Sequence, residues 1–443
     1  MNRKIISQPN HLVKFIFVYL VLSFIFLTAV FTRSFIGLSL TSYRLGELYI
    51  GFSLLLSIYF LIYPKPNNFF NFGSNKFRLI HRLIVLYVLI RLILNYENFN
   101  LYQIKSSSFI WTISFIYLGL IVSRFINQNQ ILLFGFTILP ITVYIFQTGN
   151  YPNIFIDFFT KYSDKFQFMK AADMVLVVIV SSIYIKQSQN NQYLSIVYFN
   201  FLCFLFLPLA AINSRGAVLG LLLFFVIENI NNIKFIKKNK SILFTILVLN
   251  LLIFSYSSLR INNLGSDYMS SEEADLNIAD VSSAVSQIAN QKNTQDVFLT
   301  FYIQDGRIFS SDPTTNWRLD IWQDVVDDLR DKNRLLYGYG YGEIIPVMTD
   351  PSAPGRLGRD GLNENVHNYF FTTLARGGLI NLLLFVALHL EIIQFLKSRR
   401  IGKTIYSFVI PCLFMSCLDI TMDGVQFPFI YYFFIGYFSL EKH

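Results

Sequence analysis

Of the five histidines in this 443-residue chain, only His367 stands where a long hydrophilic segment returns to an apolar run. His11 and His443 lie at the termini, His81 opens an apolar run, and His389 lies toward the far end of another. An imidazole with an unperturbed pKa near 6.5 suits taking a proton from a hydroxyl at neutral pH. The same position suits a plain helix start, with Asn365 or Asn368 as the cap. Arginine supplies the complementary chemistry, because its planar fork of donors fits phosphate oxygens two at a time. Arg215 stands between two closely spaced apolar runs, with no acidic residue within ten positions. Leaving it unpaired near hydrocarbon costs on the order of a few kcal/mol, so an anion is expected to meet it. Gly216 beside it would admit a ligand closely. The alternative is an arginine reaching up to lipid headgroups.

Other candidates carry two readings each. Arg318, beside Trp317 and close to Asp320, either meets a second anionic group or forms a surface salt bridge. Arg376 falls about two helical turns beyond His367, so on a continuous helix it serves the same site or anchors the membrane interface. In Tyr337-Gly338-Tyr339-Gly340-Tyr341-Gly342, glycines allow close backbone approach and tyrosines offer faces for stacking on sugars. A flexible turn reads equally well. Asp320, Asp324, Asp327 and Asp328 have metal-ligand chemistry, but their helical spacing opposite an apolar face favours a solvated surface. Asp419 and Asp423 border a short turn, where either can neutralise an arginine. The aromatic stretch from Tyr151 to Phe168 reads as an interface belt. Cys203, Cys412 and Cys417 all fall in apolar runs and read as small buried hydrophobes.

These side chains must be positioned by an unusually apolar scaffold. Hydrophobic residues make up 54% of the chain and charged residues 14%, against about 25% charged in soluble domains. The 47 Phe and 26 Tyr outnumber all charged groups together. A soluble globular enzyme and a disordered protein are both excluded. The expected fold is all-α and polytopic, with about twelve transmembrane helices. Nine runs precede position 260: Leu12–Phe31, Leu45–Tyr63, Leu79–Leu94, Phe109–Ile126, Ile131–Gln147, Ala171–Ile185, Tyr193–Ile212, Ala217–Ile233 and Ser241–Ser258. Three follow position 366: Gly377–Leu396, Thr404–Leu418 and Val425–Leu440.

Lys and Arg concentrate in alternate connections, among them Arg3 and Lys4, Lys65 to Arg82, Lys234 to Lys240, and Lys397 to Lys403. The opposite connections carry about half as many, including Arg33, Arg44, Lys105, Lys161, Lys165 and Arg215. Both termini are therefore expected in the cytoplasm, with the net charge of +9 weighted to that side. Arg3 and Lys4 lead directly into the first span, so no cleavable signal is expected. The hydrophilic segment 260–366 falls on the outer side and divides in two. Ser266 to Gln304 is polar and reads as a loose helix or flap. Beyond it, Asn316 is the expected cap of a helix running to about Arg330. Its apolar face, Trp317, Ile321, Trp322, Val325, Val326 and Leu329, would lie along the membrane interface or roof a cavity.

Four motifs in order carry a resemblance: Trp317-Arg318-Leu-Asp-Ile-Trp322, Leu335-Leu-Tyr-Gly338-Tyr-Gly340-Tyr-Gly342, Asn365-Val-His367-Asn368-Tyr369, and Ala375-Arg376-Gly377-Gly378. Together with Asn213-Ser214-Arg215-Gly216-Ala217 they resemble the O-antigen ligase and polymerase superfamily of the bacterial inner membrane. Lys170-Ala-Ala-Asp173 stands where that family often has a short Pro-Asn turn. The resemblance implies a donor glycan on undecaprenyl pyrophosphate, transferred at the periplasmic face to a hydroxyl of a second glycan, a lipid A core or a protein. It points to His367 as base and Arg215 with Arg318 as pyrophosphate binders, Arg376 being a weaker candidate. Trp317, Trp322, Tyr339 and Gly340 then contact substrate. Direct displacement implies inversion, with no nucleotide cofactor and no nucleic-acid partner. Polytopic glycosyltransferases that use a metal place acids in the first outer loop; here Thr32 to Arg44 holds none and only Glu47 follows, so no metal is expected.

Two other classes compete. Twelve spans also fit a lipid or polysaccharide transporter, which demands matching halves and polar residues at mid-membrane. The runs are almost free of central charge, apart from Arg91 and Asp173 near their ends and Glu228 toward the cytoplasm. A receptor or scaffold gives no reason for His and Arg to border the membrane on the outside.

Overall fold

The computed structural model describes residues 11–40, 42–63, 75–94, 100–126, 130–164, 166, 168–189, 191–268, 301–353, 355–357 and 364–439. Most of the flap expected over Ser266 to Gln304 lies outside the described residues, as do Arg3, Lys4, Lys65, Lys165 and His443.

Hydrocarbon offers a backbone no partner, so apolar runs close their hydrogen bonds internally as helices. The first half contains α1 (His11–Ile36), α2 (Leu45–Ile62), α3 (Asn75–Leu94), α4 (Leu101–Ser106), α5 (Ser108–Trp111), α6 (Phe115–Phe125), α7 (Gln130–Gln147) and α8 (Asn153–Tyr162). After these come α9 (Ala171–Ser188), α10 (Gln192–Asn213), α11 (Arg215–Lys238) and α12 (Lys240–Tyr268). A hairpin of β3 (Phe301–Gln304) and β4 (Arg307–Ser310) precedes α13 (Pro313–Asp331), and the chain closes with α14 (Tyr369–Lys397), α15 (Thr404–Ser416) and α16 (Gln426–Tyr437). A second, two-residue hairpin, β1 (Ser39–Leu40) with β2 (Tyr43–Arg44), joins α1 to α2.

The chain is a polytopic, mostly helical membrane protein. Each of the twelve expected runs is occupied by helix, but among the described residues nine helices are long and apolar enough to cross a bilayer. The three departures have distinct causes. Lys76, Arg78, Arg82 and Arg91 load α3 with charge. The other two, α15 and α16, have 13 and 12 residues, roughly 20 Å against a hydrocarbon core of about 30 Å. The fourth run is also interrupted, by a 3-10 turn at Thr112–Ser114 between α5 and α6. Large apolar side chains stay exposed along α12, including Phe244, Leu247, Leu251 and Leu252, as expected where lipid is the neighbour. Glu228 is fully engaged: it pairs with Lys186 and accepts from Asn232 (3.1 Å) and Ser407 (2.7 Å), linking α9, α11 and α15.

The helix α4, the turn α10–α11 and the turn α15–α16 all meet the hydrophilic segment at one end of the bundle, and the α1–α2 connection lines a cavity there with Glu364 and Asn365. Lys105 pairs with Glu364, Arg215 with Asp312, and Arg318 donates to the Leu418 carbonyl. Ser106 Oγ donates to the Tyr341 carbonyl at 2.7 Å. This end is called the loop face below.

At the loop face, α14 is broken at Gly378, whose φ is +68°. A break frees backbone groups that hydrocarbon cannot satisfy. Residues 335–340 run alongside and satisfy them. Tyr339 and Gly340 donate their N–H groups to the carbonyls of Ala375 (2.7 Å) and Arg376 (2.9 Å). In return Leu379 donates to Leu335 at 2.9 Å. The Tyr87 hydroxyl closes the carbonyl of Gly377 at 2.7 Å. The tyrosine–glycine repeat is thus a backbone clasp rather than a flexible turn, and at Gly338 an added Cβ would stand 2.6 Å from the Ala375 carbonyl oxygen. A Cβ on Gly378 would lie 2.2 Å from the Leu336 carbonyl oxygen. Gly378→Ala is expected to lose at least about 1–2 kcal/mol, since positive φ and the clash both oppose it. The thermal unfolding midpoint in detergent checks this; Leu383→Ala, on an exposed face of the same helix, serves as the comparison.

Candidate active site

The loop helix α13 is set by its first residue. Asp312 is the N-cap: its carboxylate accepts from the Thr315 N–H (2.8 Å) and hydroxyl (2.6 Å), and Pro313 takes the first helical position. The expected cap, Asn316, lies inside the helix and accepts from the Ser310 N–H at 3.0 Å, tying β4 down. Asp312-Pro313-Thr-Thr315 carried the start signal in the sequence. Ile321, Val325 and Leu329 are fully buried against Ile345, Met348, Val366 and Ala375, a second core distinct from the membrane core. The opposite acids are less solvated than expected. Asp320 and Asp324 are bridged by Arg307 and Arg356, and Asp328 accepts from Lys332 and the Tyr339 hydroxyl. Among the described residues no acidic or His/Cys group has metal-site geometry.

Two tryptophans of α13 address the chain around His367. Trp322 Nε1 donates to the Val366 carbonyl at 2.7 Å, and its ring stacks on Phe371 at 5.3 Å. The Trp317 ring stands edge-on to His367, with centroids 5.0 Å apart. His367 itself has φ +54°, a left-handed turn that feeds the chain into α14. Asn368 then caps that helix, accepting from Phe370 and Phe371 while its amide donates to the Cys417 carbonyl at 2.8 Å. Burial, with the charges of Arg318 and Lys170, pushes the His367 pKa down to about 3. The imidazole is uncharged at neutral pH.

Arg318 is the common neighbour. Its guanidinium donates to the Leu418 carbonyl, just past the end of α15, where a cation suits the helix dipole. Burial presses its pKa down, Asp419 and Asp312 oppose that, and Arg215 adds to it. Its Nε is buried with no hydrogen-bond partner among the described residues. Arg215 opens α11, just after the Ser214 N-cap, and pairs with Asp312 at 2.9 Å. The anion that the sequence demanded for Arg215 is therefore supplied by the protein. Gly216 likewise faces Leu418, whose Cβ would stand 2.9 Å from an added Cβ, so its smallness serves packing rather than ligand approach. Burial works to raise the Asp312 pKa, but hydrogen bonds from Thr315 and the Arg215 charge hold the carboxyl below its usual range.

His367, Trp317, Arg318 and Arg215 thus gather at one place on the loop face, with Lys170 and Asp419 beside them. The remaining sequence candidates fall elsewhere. Trp322 positions backbone, and Tyr339 and Gly340 belong to the clasp. Arg376 is buried and donates to the carbonyls of Gly340 (3.4 Å) and Glu343 and to the Tyr102 hydroxyl (2.9 Å). There it forms part of the wall of a neighbouring cavity of about 330 Å³. Sequence reasoning missed the Asp312 partnership and the approach of Lys170 to His367.

Residues 199–386 match the family model described as O-antigen ligase. That match supports membership of the O-antigen ligase and polymerase superfamily. The matched stretch runs from α10 into α14 and contains Arg215, Trp317, Arg318, His367 and Arg376. Lys170, Asp419 and Asp423 lie outside it. No curated protein matches the chain.

The geometry separates the two roles of Asp312 in this O-antigen ligase domain. Asp312→Asn keeps an N-cap and loses the ion pair with a half-exposed Arg215, so stability should change by less than about 1 kcal/mol. Asp312→Ala loses the cap as well and should cost about 1–2 kcal/mol. Unfolding midpoints of the two variants in one detergent check the order, and equal losses would contradict it.

Proposed function

We propose that the chain transfers a glycan from undecaprenyl pyrophosphate to an acceptor hydroxyl at the periplasmic face of the bacterial inner membrane. The observation that carries this reading is His367 held edge-on to Trp317, with Arg318 close enough to depress its pKa and Arg215 close enough to act on Arg318. The alternation of Lys and Arg supports cytoplasmic termini and a periplasmic loop face.

The acceptor oxygen attacks the anomeric carbon of the donor sugar and its proton passes to His367. The bond from that carbon to the pyrophosphate oxygen breaks, and the electron pair leaves with the pyrophosphate. Attack opposite the leaving group inverts the anomeric centre. The leaving group is good already, so the site needs a base and fixed positive charge, and no metal enters the reaction as drawn. Arg318 and Arg215 supply the charge, and Asp312 gives way to phosphate at Arg215. Arriving phosphate also offsets the cations that depress the His367 pKa, so the base strengthens when the donor is bound. The polyprenyl tail lies between helices, and Trp317 covers the reacting sugar.

Transfer is tested with protein in lipid nanodiscs, lipid-linked glycan and each acceptor in turn. His367→Ala is expected to lower kcat by about 10²–10⁴-fold. Undiminished turnover in a folded His367→Ala protein overturns the assignment. A product that lengthens with time marks a polymerase, and a single addition to lipid A core marks a ligase.

The pH dependence has a definite sign. The pKa of His367 in the free protein lies below that of a free imidazole, so the base is lost only as pH falls toward about 3. For the donor, kcat/KM is expected to show no His367 limb between pH 6 and 7. Arg318→Gln removes a depressing cation and is expected to move that limb upward, whereas a limb already near 6.5 in the wild type would contradict the desolvated, cation-flanked imidazole.

A further inference from the structure

The cavity of about 330 Å³ beside the His367 cluster has a lining unlike a phosphate site. Five cations, Arg33, Arg44, Lys105, Lys170 and Arg376, face four acids, Glu47, Asp164, Glu364 and Asp423. Two of the cations are spent on two of the acids: Arg44 pairs with Asp164 and Lys105 with Glu364, each at 3.2 Å. A pyrophosphate would call for uncompensated positive charge. A lining that interleaves donors and acceptors suits hydroxyl groups, which do both. Tyr102 adds an aromatic ring to the wall, with Lys105 at 5.5 Å and Arg376 at 5.6 Å from its centroid, and its hydroxyl accepts from Arg376. The volume is within the range of small-molecule pockets, about 300–1,000 Å³.

Asp423 gives a second, independent sign of a ligand. It lies in the turn between α15 and α16 with both carboxylate oxygens buried and outside hydrogen-bond geometry, the Thr372 hydroxyl being the one side-chain donor near enough to act on it. Buried polar groups are nearly always paired, and a carboxyl has about four acceptor positions, so one with a single marginal neighbour in a cavity wall points to a further partner that is not protein. Burial lifts its pKa to about 7, against the pull of Thr372, Arg376 and Lys170. Such a carboxyl can accept from a hydroxyl when ionised and donate to one when protonated.

The cavity also adjoins the proposed base. Asn365 in its wall is two residues before His367, and Lys170 in its wall acts on the imidazole electrostatically. Most of its walls come from the α1–α2 connection, α4–α5, the segment before α9 and the α15–α16 turn, all outside residues 199–386.

We infer that this cavity is the acceptor subsite, holding the hydroxyl-bearing end of a second glycan, with Asp423 and Arg33 as recognition residues. The inference rests on the glycan-transfer reading and gives it a division of labour. The family-matched stretch holds the donor, and segments outside it choose the acceptor.

Two lipid-free probes test it: the core oligosaccharide and the repeat-unit oligosaccharide, each released by mild acid from the source cells. Binding of each is measured by calorimetry to nanodisc protein carrying His367→Ala, so that no turnover is needed. One of them is expected to bind, and Arg33→Gln or Asp423→Asn to weaken it at least about tenfold, as for one charge-assisted hydrogen bond. With His367 restored, the acceptor KM should rise by a similar factor while kcat and donor affinity hold. Unfolding midpoints control for folding, and Arg33, at an exposed position, carries the test if Asp423→Asn fails to fold. Unchanged oligosaccharide binding overturns the subsite, as does a loss of donor affinity, which would make the cavity a phosphate site. Binding with the expected mutant pattern but no transfer by the wild type would keep the subsite and discard the transferase reading.

Discussion

A single carboxylate ties the loop face together. Asp312 starts α13 by capping it and, with its other contact, holds Arg215 at the start of α11. Because α13 begins there, Trp317 reaches the His367 ring, Arg318 reaches the end of α15, and Trp322 reaches the carbonyl before His367. Three membrane helices and the extramembrane segment are thereby brought to one place. An ion pair with one half-exposed partner contributes little stability by itself. Its importance is geometric, since it sets where the arginines stand relative to the imidazole.

The scaffold was largely legible in the sequence because its cause is local. Apolar runs of bilayer length must become helices; every expected run holds helix, and among the described residues nine helices are long and apolar enough to cross. What composition could not reveal was the shortness of α15 and α16 and the break in α14, which depend on neighbours. Gly377-Gly378 reads as an ordinary flexible pair until residues 335–340 are seen to satisfy the open backbone. The backbone role of the tyrosine–glycine repeat was hidden for the same reason. Its purpose lies in contacts with residues some forty positions away.

The candidate site was legible in part. His367, Arg215 and Arg318 are conspicuous because each is an odd residue for its setting, and all three meet. Asp312 was hidden because its pairing with Arg215 spans nearly a hundred positions. Gly216 illustrates the converse error: a small residue beside a cation suggested room for a ligand, yet Leu418 fills that room. Lys170 and Asp423 stood out only as a motif position and a turn acid, because their connections share a cavity that only the fold reveals.

A cationic, poorly hydrated lip has a clear physical consequence. It keeps an imidazole neutral, and it leaves Arg318 short of a partner until an anion arrives. The most direct test is the affinity of undecaprenyl pyrophosphate for nanodisc protein, wild type against Arg215→Ala, Arg318→Ala and His367→Ala. Each arginine variant is expected to bind at least about tenfold more weakly, as for loss of one charge-assisted contact, and His367→Ala to bind as well as wild type. Equal affinity in all four proteins would contradict a pyrophosphate site at this lip.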